Sequence, residues 1–559
     1  MSFNHNNKGK FAALLAALIV AVSVTGCANT DNNTSSGSMA TADNFSQTST
    51  VSDDSTDSEM FTDRDKEVGY DESSAVTVAF SSSGATASSD IVTVSGSKVT
   101  LKDEGTYIIT GTTADGQIIV DADSKTKIQI VLKNTSITCK SSAALYVKQA
   151  DKVFVTTAKD SENTLASTGE YVQTDDNNVD AAVFSKDDIT LNGEGKLTVS
   201  SEKGHGIVSK DDLKLTSGEY TVTAASHALS GKDSIRIASG TYNLTSDKDG
   251  LHAENTDDIS KGFVYIADGN FTVNCKGDGI DAGTTAQIEN GTFNITSSSG
   301  SSSSSATDSA SVKGIKAAGD LTISGGTFNL NCEDDALHSN TNVTITNGTF
   351  TISSGDDGIH ANSKTSISGG TVNITEIYGG IEGTEVEISG GKITIEADGD
   401  GVDSNGSLTV TGGETYVSGP TSGADGALDY DGEATITGGI FVAAGSTQMA
   451  QNFGENSTQG SMFVNTNSSG EITLKNSSGE VLVSFTPTKT YACVVISCPQ
   501  ITTGQTYTVT AGEYSTEVEM TSLIYGSGGM GGPNGMGGRD MNRMERPNDS
   551  DMPDPPQMR

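Results

Sequence analysis

The sequence predicts an all-β chain: a right-handed parallel β-helix of roughly a dozen coils of about 22 residues, ended by a small C-terminal β cap or sandwich. Three observations predict it. An aliphatic anchor recurs at Val183, Ile207, Leu229, Leu251, Ile280, Ile315, Leu337, Ile359, Ile381, Val402 and Leu428, most often in steps of 22. The residue before each anchor is always Ala or Gly, as at Gly314, Ala336 and Gly358, so small size is required there. A second aliphatic follows (Ile323, Ile345, Ile367, Ile388, Val410, Ile436), then a turn such as SGG or TNG and an alternating segment such as TFNLN or TFTIS. Three short strands per period cannot bury their apolar faces alone; stacking buries them. A dozen coils rising about 4.8 Å each make a rod about 60 Å long, and the crossover preference of parallel strands makes it right-handed. Leucine-rich repeats lack their Leu pattern here, and the calcium nonapeptide repeat has a different period.

Along the chain, residues 1–27 read as a targeting segment. Lys8 and Lys10 precede FAALLAALIVAVSVT, an apolar run of about fifteen residues, short for a membrane span. It ends in Val24-Thr25-Gly26-Cys27, which resembles a bacterial lipobox with Cys27 lipidated. That predicts a cell-surface protein, lipid-anchored to the bacterial membrane and extracytoplasmic. Residues 28–74, rich in Ser, Thr, Asp and Asn, read as a disordered tether. Residues 75–445 carry the coils, including the insertion TSSSGSSSSSATDS before Ile315. Residues 446–525 lose the period and alternate as antiparallel strands. Residues 526–559 form a Gly/Met/Pro-rich tail expected to be disordered.

The 72 acidic residues outnumber the 33 basic ones, for a net charge of −39. That disfavours nucleic acid as a partner and suits divalent cations. Five Cys besides Cys27 are scattered without zinc-type spacing. Cys275 and Cys332 fall one coil apart from adjacency, about 9–10 Å, too far for a disulfide. Cys493 and Cys498 face opposite sides of one apparent strand.

The residue after each anchor points outward and turns from apolar to polar along the chain: Phe184, Val208, Ser230, His252, Asp281, Lys316, His338, His360, Glu382, Asp403, Asp429. Two before the anchor stand Asp249, Asp278, Lys313, Asp335, Asp357 and Asp400. Stacking therefore brings Asp334, Asp335, Asp356, Asp357 and Glu382 close together, and like charges at that spacing need raised pKa values or a cation. Calcium takes six to eight oxygens at about 2.3–2.6 Å. A lone Asp-Gly also serves a turn, but the doubled Asp in two successive coils favours Ca2+ there, with Asp278/Asp281 and Asp400/Asp403 as second candidates. His338 and His360 suit stacking or sugar contact rather than a transition metal, alongside Glu382 and Asp429. Lys313 and Lys316 read as salt-bridged lysines.

The repeat columns, the DDGIH motif and the segment FGENSTQGS…VLVSFTPTKTYACVVIS resemble bacterial extracellular calcium-binding parallel β-helix proteins, the carbohydrate-binding domain-containing proteins, over about residues 75–525. The resemblance implies binding to cell-wall polysaccharide, pectic or cellulosic, without hydrolysis. It also implies the fold of family 9 pectate lyases, in which an Asp cluster binds calcium and a Lys abstracts the C5 proton. Three functions stay open: a monomeric non-catalytic binder of polysaccharide; a calcium-dependent lyase with Lys316 or Lys364 as base; and a structural adhesin. The single coil arginine, Arg236, lies far from the Asp pairs, which weighs against the lyase.

Overall fold

The computed structural model describes residues 60–301 and 311–526. It is all-β: the described residues hold one four-residue helix, Asp63–Lys66, and strands that are largely parallel in one long sheet. No helix among the described residues is long and apolar enough to cross a membrane.

Each repeat supplies three strands, and each strand pairs in parallel with its equivalent one repeat on. Leu337–Ser339, Asn342–Ile345 and Thr349–Ser354 make one repeat. The anchors lie in strict register, Val183↔Ile207↔Leu229↔Leu251↔Ile280↔Ile315↔Leu337↔Ile359↔Ile381↔Val402. The file runs further back than the period reveals, through Val99, Ile118 and Leu145. All are buried in one continuous core. The second aliphatics form a parallel file, including Ile388, whose early position is absorbed by a register shift after Ala361.

The third strand adds a ring stack. Tyr220, Tyr242, Phe271, Phe293, Phe328 and Phe350 follow one another at centroid spacings of 5.4, 4.8, 4.7, 4.7 and 4.6 Å, with their planes nearly parallel. The spacing matches the strand-to-strand distance, so stacking follows from register rather than from aromatic preference alone. The turn before each ring needs a left-handed residue, and the glycine at Gly291, Gly326 and Gly348 supplies it before Phe293, Phe328 and Phe350 with φ of 130°, 105° and 123°. The small residue before the anchor has a steric cause as well: a Cβ on Gly279 would stand 2.5 Å from the Gly314 carbonyl of the next repeat.

At the C-terminal end, Ile440–Gly445 pairs with the last repeat and, antiparallel, with Tyr491–Ser497, which pairs in turn with Ser461–Ser468. A separate four-stranded antiparallel sheet of Val481–Phe485, Ile472–Lys475, Thr506–Ala511 and Tyr514–Glu519 encloses a second core. Cys493 faces the main core and Cys498 the second one; Cys139, Cys275, Cys332, Cys493 and Cys498 are buried free thiols.

One boundary needs correction. The expected disordered tether over 28–74 does not extend to residue 74. Thr62 caps the helix Asp63–Lys66 with a capping box, and Asp65 is fully buried, ion-paired to Lys152 at 2.8 Å. A buried carboxylate is retained only with such partners, and these lie on strands far along the chain. Cys27 of the expected lipobox, the rest of the segment 1–59, most of the Ser-rich insertion (302–310) and the tail beyond 526 lie outside the described residues.

Candidate functional site

Strand register assembles one outward row on the first strand of each repeat: His252↔Asp281↔Lys316↔His338↔His360↔Glu382↔Asp403↔Asp429. Beside it run the residues two before each anchor, His227, Asp249, Asp278, Lys313, Asp335, Asp357 and Asp400. The two files meet in three distinct chemical settings.

The first is imidazole and carboxylate. His227 and His252 stack at 4.1 Å, and His205 stacks on His227 at 5.0 Å. Asp249 Oδ2 lies 2.9 Å from His227 Nδ1 and 3.2 Å from His252 Nδ1, and Asp281 Oδ2 lies 3.0 Å from His252 Nδ1. Burial opposes charge on His252, yet the Asp249 and Asp281 carboxylates lift its pKa to about 10, whereas burial lowers that of His227. The sequence reading missed this cluster. His227 stands two before its anchor, in the same file as Asp249, and that position was the signal.

The second setting contains the expected metal residues Asp334, Asp335, Asp356 and Asp357. Oxygens of Asp334, Asp335 and Asp356 gather within 4.8 Å of one another. The ammonium of Lys313 already reaches into that group, 2.6 Å from Asp334 Oδ2 and 3.3 Å from Asp335 Oδ2. His338 Nδ1 is 2.8 Å from Asp335 Oδ2, and His360 Nδ1 is 3.0 Å from Asp357 Oδ2. Burial disfavours the Asp335 anion, but Lys313 and His338 hold its carboxyl well below the usual range. His338 and His360 are tilted by 54° rather than stacked face to face. Just before this group, buried Asp278 accepts from the Lys313 backbone N–H at 2.6 Å, with Lys316 Nζ 3.8 Å away; burial and the Asp281 charge push it up to about 7. Asp281 itself turns to His252 rather than to Asp278. Lys364 lies on the second strand, bound to Glu387 at 2.6 Å, which raises its pKa.

The third setting is acidic beyond Glu382, whose carboxylate also groups within 4.8 Å of Asp357 and His360. Glu382, Asp403 and Asp429 are register neighbours on three successive repeats, with Asp400 beside them. Among the described residues, Glu382, Asp400 and Asp403 make no ion pair; Glu382 accepts from Asn405 Nδ2 at 2.9 Å and Asp400 from the Gly426 N–H at 2.6 Å. Burial and the neighbouring Asp400 and Glu382 carboxylates push Asp403 up to about 7, and burial with Asp429 and Asp425 pushes Asp400 to about 6. Tyr378, 54% exposed, packs where a Cβ on Gly399 would touch its ring, next to Asp400 in sequence. The sequence reading missed Tyr378, although IYGG replaces the usual polar residues at that point.

The fold and these rows define an all-β protein of stacked repeats with a charged outer ladder. A family model described as carbohydrate-binding domain-containing protein matches residues 95–358. A protein of that description from Acetivibrio thermocellus is 42% identical over 203 residues, which are 36% of this chain and 71% of that one. The chain belongs to the carbohydrate-binding domain-containing protein family. A solved structure of a polysaccharide lyase-like protein from C. thermocellum, a gadolinium derivative, is 30% identical and covers 45% of this chain and 92% of its own, with a TM-score of 0.37. The family match ends at residue 358, so Glu382, Asp400, Asp403 and Asp429 lie beyond it.

Proposed function

We propose that this chain is a cell-surface protein that binds plant-cell-wall type polysaccharide, pectic in preference to cellulosic, with calcium and without cleaving it. The observation that carries the reading is the in-register row Glu382, Asp403 and Asp429 with Asp400 beside it, a run of carboxylates over three successive repeats in which Glu382, Asp400 and Asp403 make no ion pair among the described residues. These carboxylates stand one repeat apart, so a hard cation would draw its six to eight oxygens from neighbouring members of the row together with those of a uronate polymer. Bound there, calcium supplies positive charge that joins the row to the carboxylates of an anionic polymer. Tyr378 offers an exposed ring face to a sugar.

Asp356 and Asp357, next along the same ladder toward the N-terminus, extend the donor set. Asp334 and Asp335 serve it less well, because Lys313 already neutralises them. Asp278 and Asp281 are likewise engaged with Lys313, Lys316 and His252. The three-fold strand pairing supports a right-handed parallel β-helix over 75–445 with a cap over 446–525. Lipidation at Cys27 would hold the protein, as a monomer, on the extracytoplasmic face of the bacterial membrane.

The lyase alternative asks for a neutral lysine to take a proton, and Lys364, tied to Glu387, is held charged. The test is depletion of polygalacturonate by the protein with calcium or with chelator, read together with ultraviolet absorbance. Calcium-dependent retention without new absorbance is expected. Absorbing product would establish the lyase, and no retention in either condition would leave only an adhesin. Retention unchanged in Asp403→Asn/Asp429→Asn would reject this site.

A further inference from the structure

The second strands carry an outward row of a different character, and it is covered. Strand register sets Phe154, Thr190, Lys214, Arg236 and Tyr265 side by side on five successive repeats. At about 4.8 Å per repeat the row is about 19 Å long, the reach of a short oligosaccharide. In a chain of net charge −39 it gathers three cations, Lys214, Arg236 and the adjacent Lys152, with two aromatic rings, against the carboxylate of Asp212, 3.0 Å from Arg236 and 3.7 Å from Lys214. Cations and flat rings together are what an acidic sugar requires: a partner for its carboxylate and a face for its C–H surface.

The strap of residues 60–70 lies along this row. The Asp65 carboxylate enters a recess in which Lys152 Nζ stands 2.8 Å from Oδ1, Thr190 Oγ1 donates to Oδ1 at 2.5 Å, and Lys214 Nζ stands 3.8 Å from Oδ2. Asn192 Nδ2 and Thr216 Oγ1 donate to the Asp65 carbonyl at 3.0 and 2.7 Å. The Arg64 guanidinium covers the Phe154 ring at 4.4 Å, and Phe61 packs on Tyr265 at 6.1 Å. Arg236 reaches the Met60 carbonyl. The strap contributes no strand to either sheet, so its departure breaks no ladder of the fold.

We propose that the Phe154–Tyr265 row is a binding site for a uronate-bearing oligosaccharide, and that the strap occupies it as a built-in stand-in, with Asp65 in the place of a sugar carboxylate. The site needs no calcium, because its cations are side chains. It lies on the second-strand ladder, whereas the acidic row lies on the first, so the two readings stand or fall separately.

The experiment uses the full chain with a protease site placed in the exposed residues Asp71–Ser74, cut after folding, beside an uncut Asp65→Asn chain. Tetragalacturonate and neutral cellotetraose are titrated into each in chelator. The cut chain and Asp65→Asn should bind tetragalacturonate at least tenfold more tightly than the intact chain, without gain for cellotetraose. A peptide of residues 60–70 should compete, and Lys214→Ala should remove the gain. If the cut chain keeps its circular dichroism, releases the strap and still binds no tetragalacturonate, the proposal is overturned. It is equally overturned if the strap stays bound after cutting and Asp65→Asn shows no gain, or if both sugars gain alike.

Discussion

The Lys313 ammonium lies 2.6 Å from the Asp334 carboxylate and 3.3 Å from that of Asp335, its partners on the next repeat. The protein thus supplies its own cation where the doubled aspartates converge. Both Lys313 and Asp335 are buried, so removing Lys313 leaves Asp335 with only its histidine contacts and Asp334 without its cation. Lys313→Met should cost about 3–5 kcal/mol of stability, the usual penalty for breaking a buried pair from one side. The variant should also acquire a calcium-dependent rise in melting temperature larger than that of the parent, because the vacated carboxylates then need an external ion. Thermal melts of both chains with calcium and with chelator check both effects.

Asp403 carries the opposite situation, with carboxylate neighbours and no base. Its folded pKa, about 7, stands above the ordinary value of 3.8. A carboxyl raised in this way favours the folded state while protonated, so its contribution is complete below pH 4 and is lost as pH rises through 7. In chelator, the melting temperature should therefore decline from pH 5 to pH 7.5. Asp403→Asn should flatten that decline and abolish most of the gain from calcium at pH 7.5. A variant that melts with the parent's pH dependence and keeps the full calcium gain would remove Asp403 from the site.

The stacking was legible because side chains repeat in register: a small residue, an aliphatic anchor and a glycine turn recur together, and each has a steric reason in the structure. The file through Ile118 and Leu145 was not, because the loops between those repeats vary in length and the period is lost while the register is kept. The acidic and histidine row followed from the anchors by alternation. What alternation does not tell is which neighbour answers each charge. Lys313 reaches Asp334 and Asp335 from the preceding repeat, and only side-chain geometry shows that its ammonium occupies their meeting point. The strap was hidden for a related reason. Thr62–Glu67 is polar and reads as solvated, and its burial depends on Lys152, Thr190 and Lys214, which no local pattern links to it.

His252 gives a pH dependence of the other sign to histidine's usual loss of charge on burial. Burial alone would lower its pKa, but Asp249 and Asp281 raise it to about 10. The imidazolium stabilises the fold fully below about pH 6.5, its ordinary value, and that contribution disappears as pH rises through 10. Melting temperature should fall between pH 7 and pH 10 in the parent. His252→Asn should be less stable at pH 6 and should converge on the parent by pH 10. Equal differences at both pH values would mean that His252 contributes packing rather than charge.

Phe293 tests whether the ring stack is a continuous core element or a set of independent fillers. Its ring lies 4.7 Å from both Phe271 and Phe328, almost parallel to each, and it is fully buried. Truncation to Ala removes two ring contacts and leaves a cavity that neighbouring repeats, fixed by their ladders, cannot close. The cost should be about 3–5 kcal/mol. Phe293→Leu should recover more than half of it, because volume matters more than ring-face attraction in a stack whose spacing the backbone already dictates. Hydrogen exchange should then localise the loss: amides of the third strands Asn270–Cys275, Thr292–Ser297 and Thr327–Cys332 lose protection first, since each repeat is stabilised chiefly by its nearest neighbours. Uniform loss of protection along the chain would instead show that the stack unfolds as one cooperative unit.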